Sequence, residues 1–569
     1  MTLMQQPRLN QPKITLLAAL IVGVIAGCSD RDAARQHTHT EKPLVVAEQP
    51  AVEADITSHE QVKRHPIAEN SVMLSTPPVE SMLLTGAVVT LDAPVADNYQ
   101  DNPSNGVQQA AQVPLSTFSV DVDTGSYANV RQYLSMGEQP PADAIREEAF
   151  VNYFPYDYPL PTTPSQPFAV HTEIAPAPWH EDRQLLRIGL QGYDLTLEER
   201  QPSNLVFLVD VSGSMSDPNR LPLLVQSLQM LAKNLNENDS VSIVTYAGSS
   251  QVVLPATKGD QTETILAALQ QLTSGGSTNG QGGIKMAYQQ AKTHFIDGGT
   301  NRVLLATDGD FNVGMTDIDA LKALIADERD NGISLTTIGF GRGGYNDHLM
   351  EQLADVGDGN HAYIDSLHEA QKVLVRQMSG TLQTIARDVK IQVEFNPNTV
   401  KEYRLIGYQN RLLNDEDFNN DAVDAGEIGA GHSVTALYEI TLVGDQGQID
   451  ERRYQNEDAS SDDAKQGSTF NNELAQVKVR YKLPEDDNSE LLTTIVARDA
   501  LLTSFNKASE SFQFAAASAA FAQKLKDNSY VETLDYAQIA EIANNNRGDD
   551  PFNYRGEFVK LVQLAESLH

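Results

Sequence analysis

Between Ser203 and Met378 short apolar runs alternate with amphipathic stretches, and no other feature of the 569-residue chain restricts its fold so tightly. Strands are expected at Leu205–Val209, Val241–Tyr246, Val303–Ala306, Ser334–Gly339 and His361–Ile364. The near-continuous apolar character of the first of them suits a strand covered on both faces, as in a parallel sheet. Between the strands, Leu221, Leu224, Val225, Leu228, Leu231 and Leu235 make one apolar stripe at helical spacing. Ile284, Ala287, Ala291 and Phe295 make another, and Asp217-Pro-Asn219 offers cap chemistry for the first helix. The pattern predicts an α/β fold, a doubly wound and mostly parallel sheet with helices on both faces. Such sheets place ligands outside the carboxyl ends of their strands.

The sequence on either side has a different period. Leu115 to Val122 alternates as a strand does, Ala128 to Met136 is helix-like, and Phe168 to Ile174 and Leu185 to Leu190 read as paired strands. Beyond Thr384 alternating runs return at Val389–Phe395, Val434–Thr441 and Gln476–Tyr481. The stretch from Leu491 onward is expected to be helical, and 444–473 an acidic loop. We therefore expect an N-terminal β-rich flank over 113–200, the α/β domain over 203–378 and a C-terminal flank over 385–569. The two flanks would share one sheet, making the α/β domain an insertion into a discontinuous β domain.

The first residues concern location. Arg8 and Lys13 precede the apolar stretch Ile14 to Ala26, which is too short for a comfortable membrane span and reads as an export signal. Ile25-Ala26-Gly27-Cys28 resembles the lipobox of bacterial lipoproteins, which implies cleavage before Cys28 and lipid on that residue. An ordinary signal peptide with an incidental cysteine is the alternative. Cys28 is the chain's only cysteine, so no internal disulfide can form. Residues 29–112, rich in Pro, Gln, Ala, Asn and Thr, read as a disordered tether. Ser29 after the cysteine points to the outer membrane by the sorting rule of enteric lipoproteins. The formal net charge of −36 argues against nucleic acid and anionic lipid as partners.

The chemistry gathers where the strands end. Asp210-Val-Ser212-Gly-Ser214 follows the run Leu205–Val209 and offers one carboxylate and two hydroxyls at alternate positions. An all-oxygen set suits a hard cation, Mg²⁺ above all. Thr278, in the glycine-rich segment Ser274 to Gly280, and Asp308, directly after Val303–Thr307, are further oxygen donors at neighbouring strand ends.

Asp210, Ser212 and Ser214, then Thr278, then Asp308, in that order, resemble the metal-ion-dependent adhesion site of the von Willebrand factor type A domain. The resemblance implies Mg²⁺, or another divalent cation such as Mn²⁺ or Ca²⁺. Ser212 and Ser214 would coordinate it directly, Thr278 directly or through water, and Asp210 and Asp308 partly through water. It also implies an open coordination position for an Asp or Glu carboxylate of a protein partner, or else an ion that only rigidifies the loops. Ser116 to Val130, Glu147 to Phe154 and Asp424 to Glu439 are similar to the flanks of a group of bacterial lipoproteins carrying this domain.

Other chemistry is poorly supported. Asp123-Thr-Gly-Ser126 matches the aspartic-protease tripeptide but has no second copy to share a proton with. Asp415 to Asp421 resembles the start of a calcium loop but lacks the sixth-position glycine. Ser212 and Ser214 have no evident histidine base, and His348, His361 and His432 stand singly. The expectation is a non-enzymatic binding protein of the cell envelope.

Overall fold

The computed structural model describes residues 97–162, 166–196, 199–309, 318–450, 470–484, 486 and 488–569. The export signal, Cys28 and most of the expected tether lie outside the described residues. No described helix is long and apolar enough to cross a membrane.

Order starts earlier than the reading of 29–112 as tether allows. Asp97 accepts backbone hydrogen bonds from Gly343 and Tyr345, and Asn105 donates to the carbonyls of Leu405 and Gly407. Polar side chains that bond backbone groups, rather than an apolar pattern, fix this segment, which is why hydropathy did not reveal it. The N-terminal part then runs β1 (Gln108–Gln109), β2 (Leu115–Ser119), α1 (Gly125–Ser135), α2 (Glu147–Asn152), β3 (Phe168–Pro176) and β4 (Arg183–Gly192).

The α/β domain runs β5 (Ser203–Asp210), α3 (Leu221–Ala232), β6 (Ser240–Tyr246), β7 (Ser250–Lys258), α4 (Thr262–Gln270), α5 (Gly280–Thr293) and β8 (Thr300–Thr307). It continues with α6 (Ile318–Asp330), β9 (Ser334–Phe340), α7 (Asp347–Val356), β10 (His361–Ile364), α8 (Leu367–Gln371) and α9 (Met378–Leu382). The strand order is β10-β9-β8-β5-β6-β7, parallel throughout except that β7 pairs antiparallel with β6. All eight residues of β5 are buried. Leu205, Phe207 and Val209 pack with Leu224, Leu228 and Ile265 on one face, while Val206 and Leu208 pack with Ile284, Leu321 and Leu353 on the other. Two covered faces explain why the run is apolar at every position. The chain leaves β5 toward β6 and later returns to β8 on the opposite side, so the switch point of the sheet lies between β5 and β8.

The C-terminal part runs β11 (Thr384–Phe395), β12 (Val400–Ile406), β13 (Gly426–Gly429), β14 (Ser433–Leu442), β15 (Glu473–Lys482), β16 (Ser489–Ala497), α10 (Glu510–Leu525), α11 (Tyr536–Asn545) and α12 (Tyr554–Leu568). Two sheets result, and each mixes strands from before and after the α/β domain. One has the order β1-β12-β14-β4-β3; in the other, β13-β11-β15-β16, β2 also pairs with β11. Their inner faces share one core in which Leu186, Ile188 and Tyr438 meet Ile391, Val393 and Val477. The α/β domain is thus inserted into a discontinuous β-sandwich. Helices α10 to α12 close over α1 and α2, and the small side chains Ala515, Ala516, Ala519 and Ala520 are fully buried there.

Three local expectations are corrected. Ser489–Ala497 is a strand, not the start of the terminal helices; it pairs along the whole of β15, whose backbone groups need a partner on that side. β7 was not foreseen, because Pro255 and two register irregularities interrupt its alternation, as an edge strand permits. Helix α3 is not capped by Asp217-Pro-Asn219: its N-cap is Arg220, with no side-chain cap, and Pro222 sits in the first turn.

Candidate metal centre

Asp210 ends β5, where the parallel ladder stops and its backbone turns out of the sheet. Its carboxylate is completely buried and its two oxygens are used separately. Oδ1 accepts the backbone N–H of Ser212 at 2.8 Å, and Oδ2 accepts the hydroxyl of Thr307, the last residue of β8, at 3.0 Å. The first bond closes a tight turn that brings Ser212 Oγ and Ser214 Oγ within 2.9 Å of each other. The second ties the two strand ends across the switch point.

Asp308 follows Thr307 and is buried. Gly309 next to it has φ of +84°, and a Cβ there would lie 2.6 Å from the backbone nitrogen of Asn346, so only glycine lets the chain turn away so sharply. The third segment is joined to the serine turn by backbone bonds. Gly275 N–H donates to the Val211 carbonyl at 2.8 Å, and Gly213 N–H donates to the Gly276 carbonyl at 3.1 Å. These bonds hold Gly275 and Gly276 against the serine turn; Thr278, two residues on, is half-buried, and Asn279 after it caps α5 through Gly282 N–H. The five residues read from the sequence therefore lie on three loops that the structure brings to one end of the sheet.

Sequence reasoning missed Arg220. Its Nη1 donates to Asp308 Oδ2 at 2.5 Å and to the Ser214 carbonyl at 2.8 Å, and its Nη2 donates to the Arg342 carbonyl. Gly341, with φ of +72°, leaves the room this guanidinium occupies; a Cβ there would meet Arg220 Nε at 2.5 Å. No motif signalled the residue, because an arginine between a loop and a helix is usually solvated.

Burial pushes Asp210 up to about 6, the hydrogen bonds from Ser212 and Thr307 oppose that rise, and the nearby charge of Asp308 adds to it. A cation at this place would favour the ionised carboxylate that burial disfavours. The donor set, two carboxylates and hydroxyls with no nitrogen or sulfur, fits a hard divalent ion such as Mg²⁺. With Arg220 bound to Asp308, the site as a whole carries less negative charge than its two carboxylates suggest.

The other candidates have structural partners. Asp123 Oδ1 accepts the backbone N–H of His361 at 2.9 Å and joins the N-terminal part to β10. Burial drives its carboxyl well above the ordinary range. In the turn 415–421, the Lys390 ammonium donates to the carbonyls of Asp417 and Asn420, and Asp421 takes Arg480 and Ser489. His361 is locked between Thr337 and Tyr345. Asp358, Asp424 and Glu427 bring their oxygens within 4.8 Å of one another, but Arg329 lies 3.0 Å from Asp424 and 3.7 Å from Asp358. That cluster is an ion-pair network.

A parallel sheet with serine, threonine and aspartate loops at its switch point defines a von Willebrand factor type A domain. The model of that domain matches residues 204–377, a model described as von Willebrand factor matches 93–187, and one described as the C-terminal part of Uncharacterized protein YfbK matches 380–568. The chain is 47% identical over 483 residues to Uncharacterized protein YfbK of Escherichia coli (strain K12), covering 84% of this chain and 82% of that protein, and it belongs to this family. It is also 23% identical, over 44% of its length and 30% of the relative's, to inter-alpha-trypsin inhibitor heavy chain H3 of Homo sapiens. Among solved structures it is similar to the von Willebrand factor type A protein from Catenulispora acidiphila, with a TM-score of 0.38 and 12% identity over 72% of this chain and 91% of that one.

Proposed function

We propose that this protein is a metal-ion-dependent protein-binding module carried on a lipid-anchored envelope protein. A divalent cation, Mg²⁺ first, would be held by Ser212, Ser214 and Thr278, with Asp210 and Asp308 orienting its remaining ligands. One coordination position would take an Asp or Glu carboxylate of a protein partner. The observation that carries this reading is the paired bonding of Asp210. One carboxylate fixes the serine turn through Ser212 N–H and the β8 end through Thr307, so two of the three loops of the site are set before any ion arrives. Pre-set oxygens lower the ordering cost of binding an ion and a partner.

The alternative is a structural or assembly factor of the envelope in which an ion held by the same residues only stabilises the fold. Anchoring through Cys28 and an outer-membrane location belong to the same proposal and rest on the Ile25 to Ser29 sequence. The test is affinity capture from detergent-solubilised envelope with Mg²⁺ or with EDTA, using wild type and Asp210→Ala. Proteins lost in both the EDTA and the variant arms are the partners. Capture that ignores the chelator while the variant still folds would refute metal dependence.

A further inference from the structure

One peptide unit joins the segment 97–99 to the candidate metal centre. It runs from the carbonyl of Arg342 to the N–H of Gly343, in the loop between β9 and α7, and it is held on both edges. Asp97 Oδ1 accepts the Gly343 N–H at 2.8 Å, while the Arg342 carbonyl accepts Nη2 of Arg220. A trans peptide points its N–H and its C=O in opposite directions, so the two bonds together fix one plane. Among the described residues no other hydrogen bond reaches either group. Gly341 and Gly343, with φ of +72° and +86°, flank the unit, so no Cβ on either side resists its rotation and the two bonds set its orientation.

Asp97 is itself firmly seated. Its side chain is 3% exposed; Oδ1 also accepts the Tyr345 N–H at 2.9 Å, and Oδ2 accepts the Tyr133 hydroxyl of α1 at 3.0 Å. Next to it, the Asn98 N–H donates to the Tyr345 carbonyl at 2.7 Å, and the Tyr99 hydroxyl donates to Asn129 of α1 at 2.9 Å. The segment 97–99 therefore ties α1 of the flanking part to a loop of the α/β domain, and none of the five metal-site residues takes part in that tie.

Arg220 is the next link. Its Nη2 donates to the Arg342 carbonyl, and its Nη1 serves both Asp308 Oδ2 and the Ser214 carbonyl. With the Arg342 carbonyl turned away, the guanidinium would be held through Nη1 alone. Bonds strung through one amide also polarise one another, so losing the Asp97 bond weakens the one to Arg220. A guanidinium pinned on Asp308 repels a divalent ion beside that carboxylate, and the repulsion falls as the guanidinium moves off. Whatever keeps Arg220 in place thereby weakens the ion.

We propose that Asp97 is a positioning residue for the cation site: through the 342–343 peptide it holds Arg220 against Asp308 and so lowers the affinity of the site for a divalent ion. The inference rests on the reading of this site as a cation site. Linkage makes the effect mutual, so an ion that draws Arg220 away from Asp308 loosens the peptide and then the segment 97–99. The sign sets this apart from a purely structural role, in which loss of Asp97 would loosen the site and weaken the ion.

Isothermal titration of the full-length chain with MgCl₂ tests the sign. Asp97→Ala tightens Mg²⁺ binding at least threefold, Asp97→Asn, whose amide oxygen still accepts both N–H groups, restores wild-type affinity, and Asp97→Ala adds nothing in an Arg220→Gln background. Unchanged or weaker binding by Asp97→Ala, or an equal gain in the Arg220→Gln background, overturns the proposal. Absence of Mg²⁺ binding in every variant refutes the cation reading itself, and hydrogen-exchange mass spectrometry in EDTA then decides the link between Asp97 and Arg220. Arg220→Gln speeds exchange in a peptide spanning 97–100 at least fivefold, with β15 as the unaffected reference, and unchanged exchange in that peptide overturns the link. The same measurement decides if Asp97→Ala does not fold.

Discussion

Arg220 Nη1 stands 2.5 Å from Asp308 Oδ2, so the carboxylate that a metal ion would use from its outer sphere is already paired with a cation of the protein. Both side chains are nearly buried, and the guanidinium also holds the Ser214 carbonyl. An internal cation at this place compensates Asp308 when no ion is bound and opposes the ion when it is.

Arg220→Gln should separate these effects. In EDTA the variant loses a buried pair, a cost of about 3–5 kcal/mol, and its melting temperature falls. On adding Mg²⁺ the variant recovers more than wild type gains, because the ion now meets an uncompensated Asp308. Scanning fluorimetry of both proteins over a Mg²⁺ series checks this. Equal Mg²⁺-induced shifts would show that Arg220 and the ion do not communicate.

Ser212→Ala combined with Ser214→Ala removes two hydroxyls without touching the Asp210 bond to the Ser212 backbone. The double variant loses the Ser212 hydroxyl's bond to Asp210 but keeps the Ser212 N–H and the Thr307 hydroxyl on its oxygens, so its stability in EDTA should fall by no more than about 1–2 kcal/mol. Its Mg²⁺-induced stabilisation should vanish. A retained shift would place the ion elsewhere.

Glu148 provides a pH signature. It is buried, its Oε2 accepts the backbone N–H of Tyr408 at 2.9 Å, and burial with the charge of Asp121 pushes it from 4.5 up to about 7. Because the folded value is the higher, its contribution to stability is complete below about pH 4.5 and is lost as pH rises through about 7. Glu148→Gln keeps an acceptor for Tyr408 and has no proton to lose. The variant should match wild type at pH 4.5 and exceed it at pH 8 by up to the order of 3 kcal/mol. Denaturant melts at the two pH values read the difference, and a gap that stays constant with pH would refute the assignment.

Glu439 on β14 binds Arg183 of β4 at 2.9 Å, accepts the indole N–H of Trp179 and lies 3.6 Å from Arg404 of β12. One carboxylate therefore serves both halves of the interrupted β domain. Glu439→Ala leaves two buried guanidinium groups without their partner and should cost about 3–5 kcal/mol. Glu439→Gln should cost less. Chemical denaturation of the two variants ranks them, and a milder loss for alanine would contradict the role given to Glu439.

The α/β domain was legible because its strands are buried on both faces: Leu205 to Val209 leave no position for a polar side chain, so the run announces itself. The loops of the candidate site were legible because their oxygen-bearing side chains stand at fixed spacing beside those strands. What stayed hidden depends on partners distant in sequence. Ser489–Ala497 exposes many of its residues and becomes a strand only by pairing with β15. Asp97 is ordered by the backbone of residues 343 and 345. Arg220 looks like an ordinary surface cation until the fold encloses it. The export signal and Cys28, read from sequence alone, lie outside the described residues.

The interruption of the β domain also sets an order of events for the emerging chain. β4 is complete at Gly192, yet its neighbour β14 begins at Ser433, so a chain made from its N-terminus must carry an unpaired β4 edge for about 240 residues of synthesis. The parallel sheet between them can close on local connections in that interval. The β-sandwich has to wait, and non-local pairing of this kind folds slowly and exposes strand edges that invite association. Kinetically the protein is a domain that matures early inside a frame that matures last, and the frame is where a shortage of chaperone assistance would first be felt.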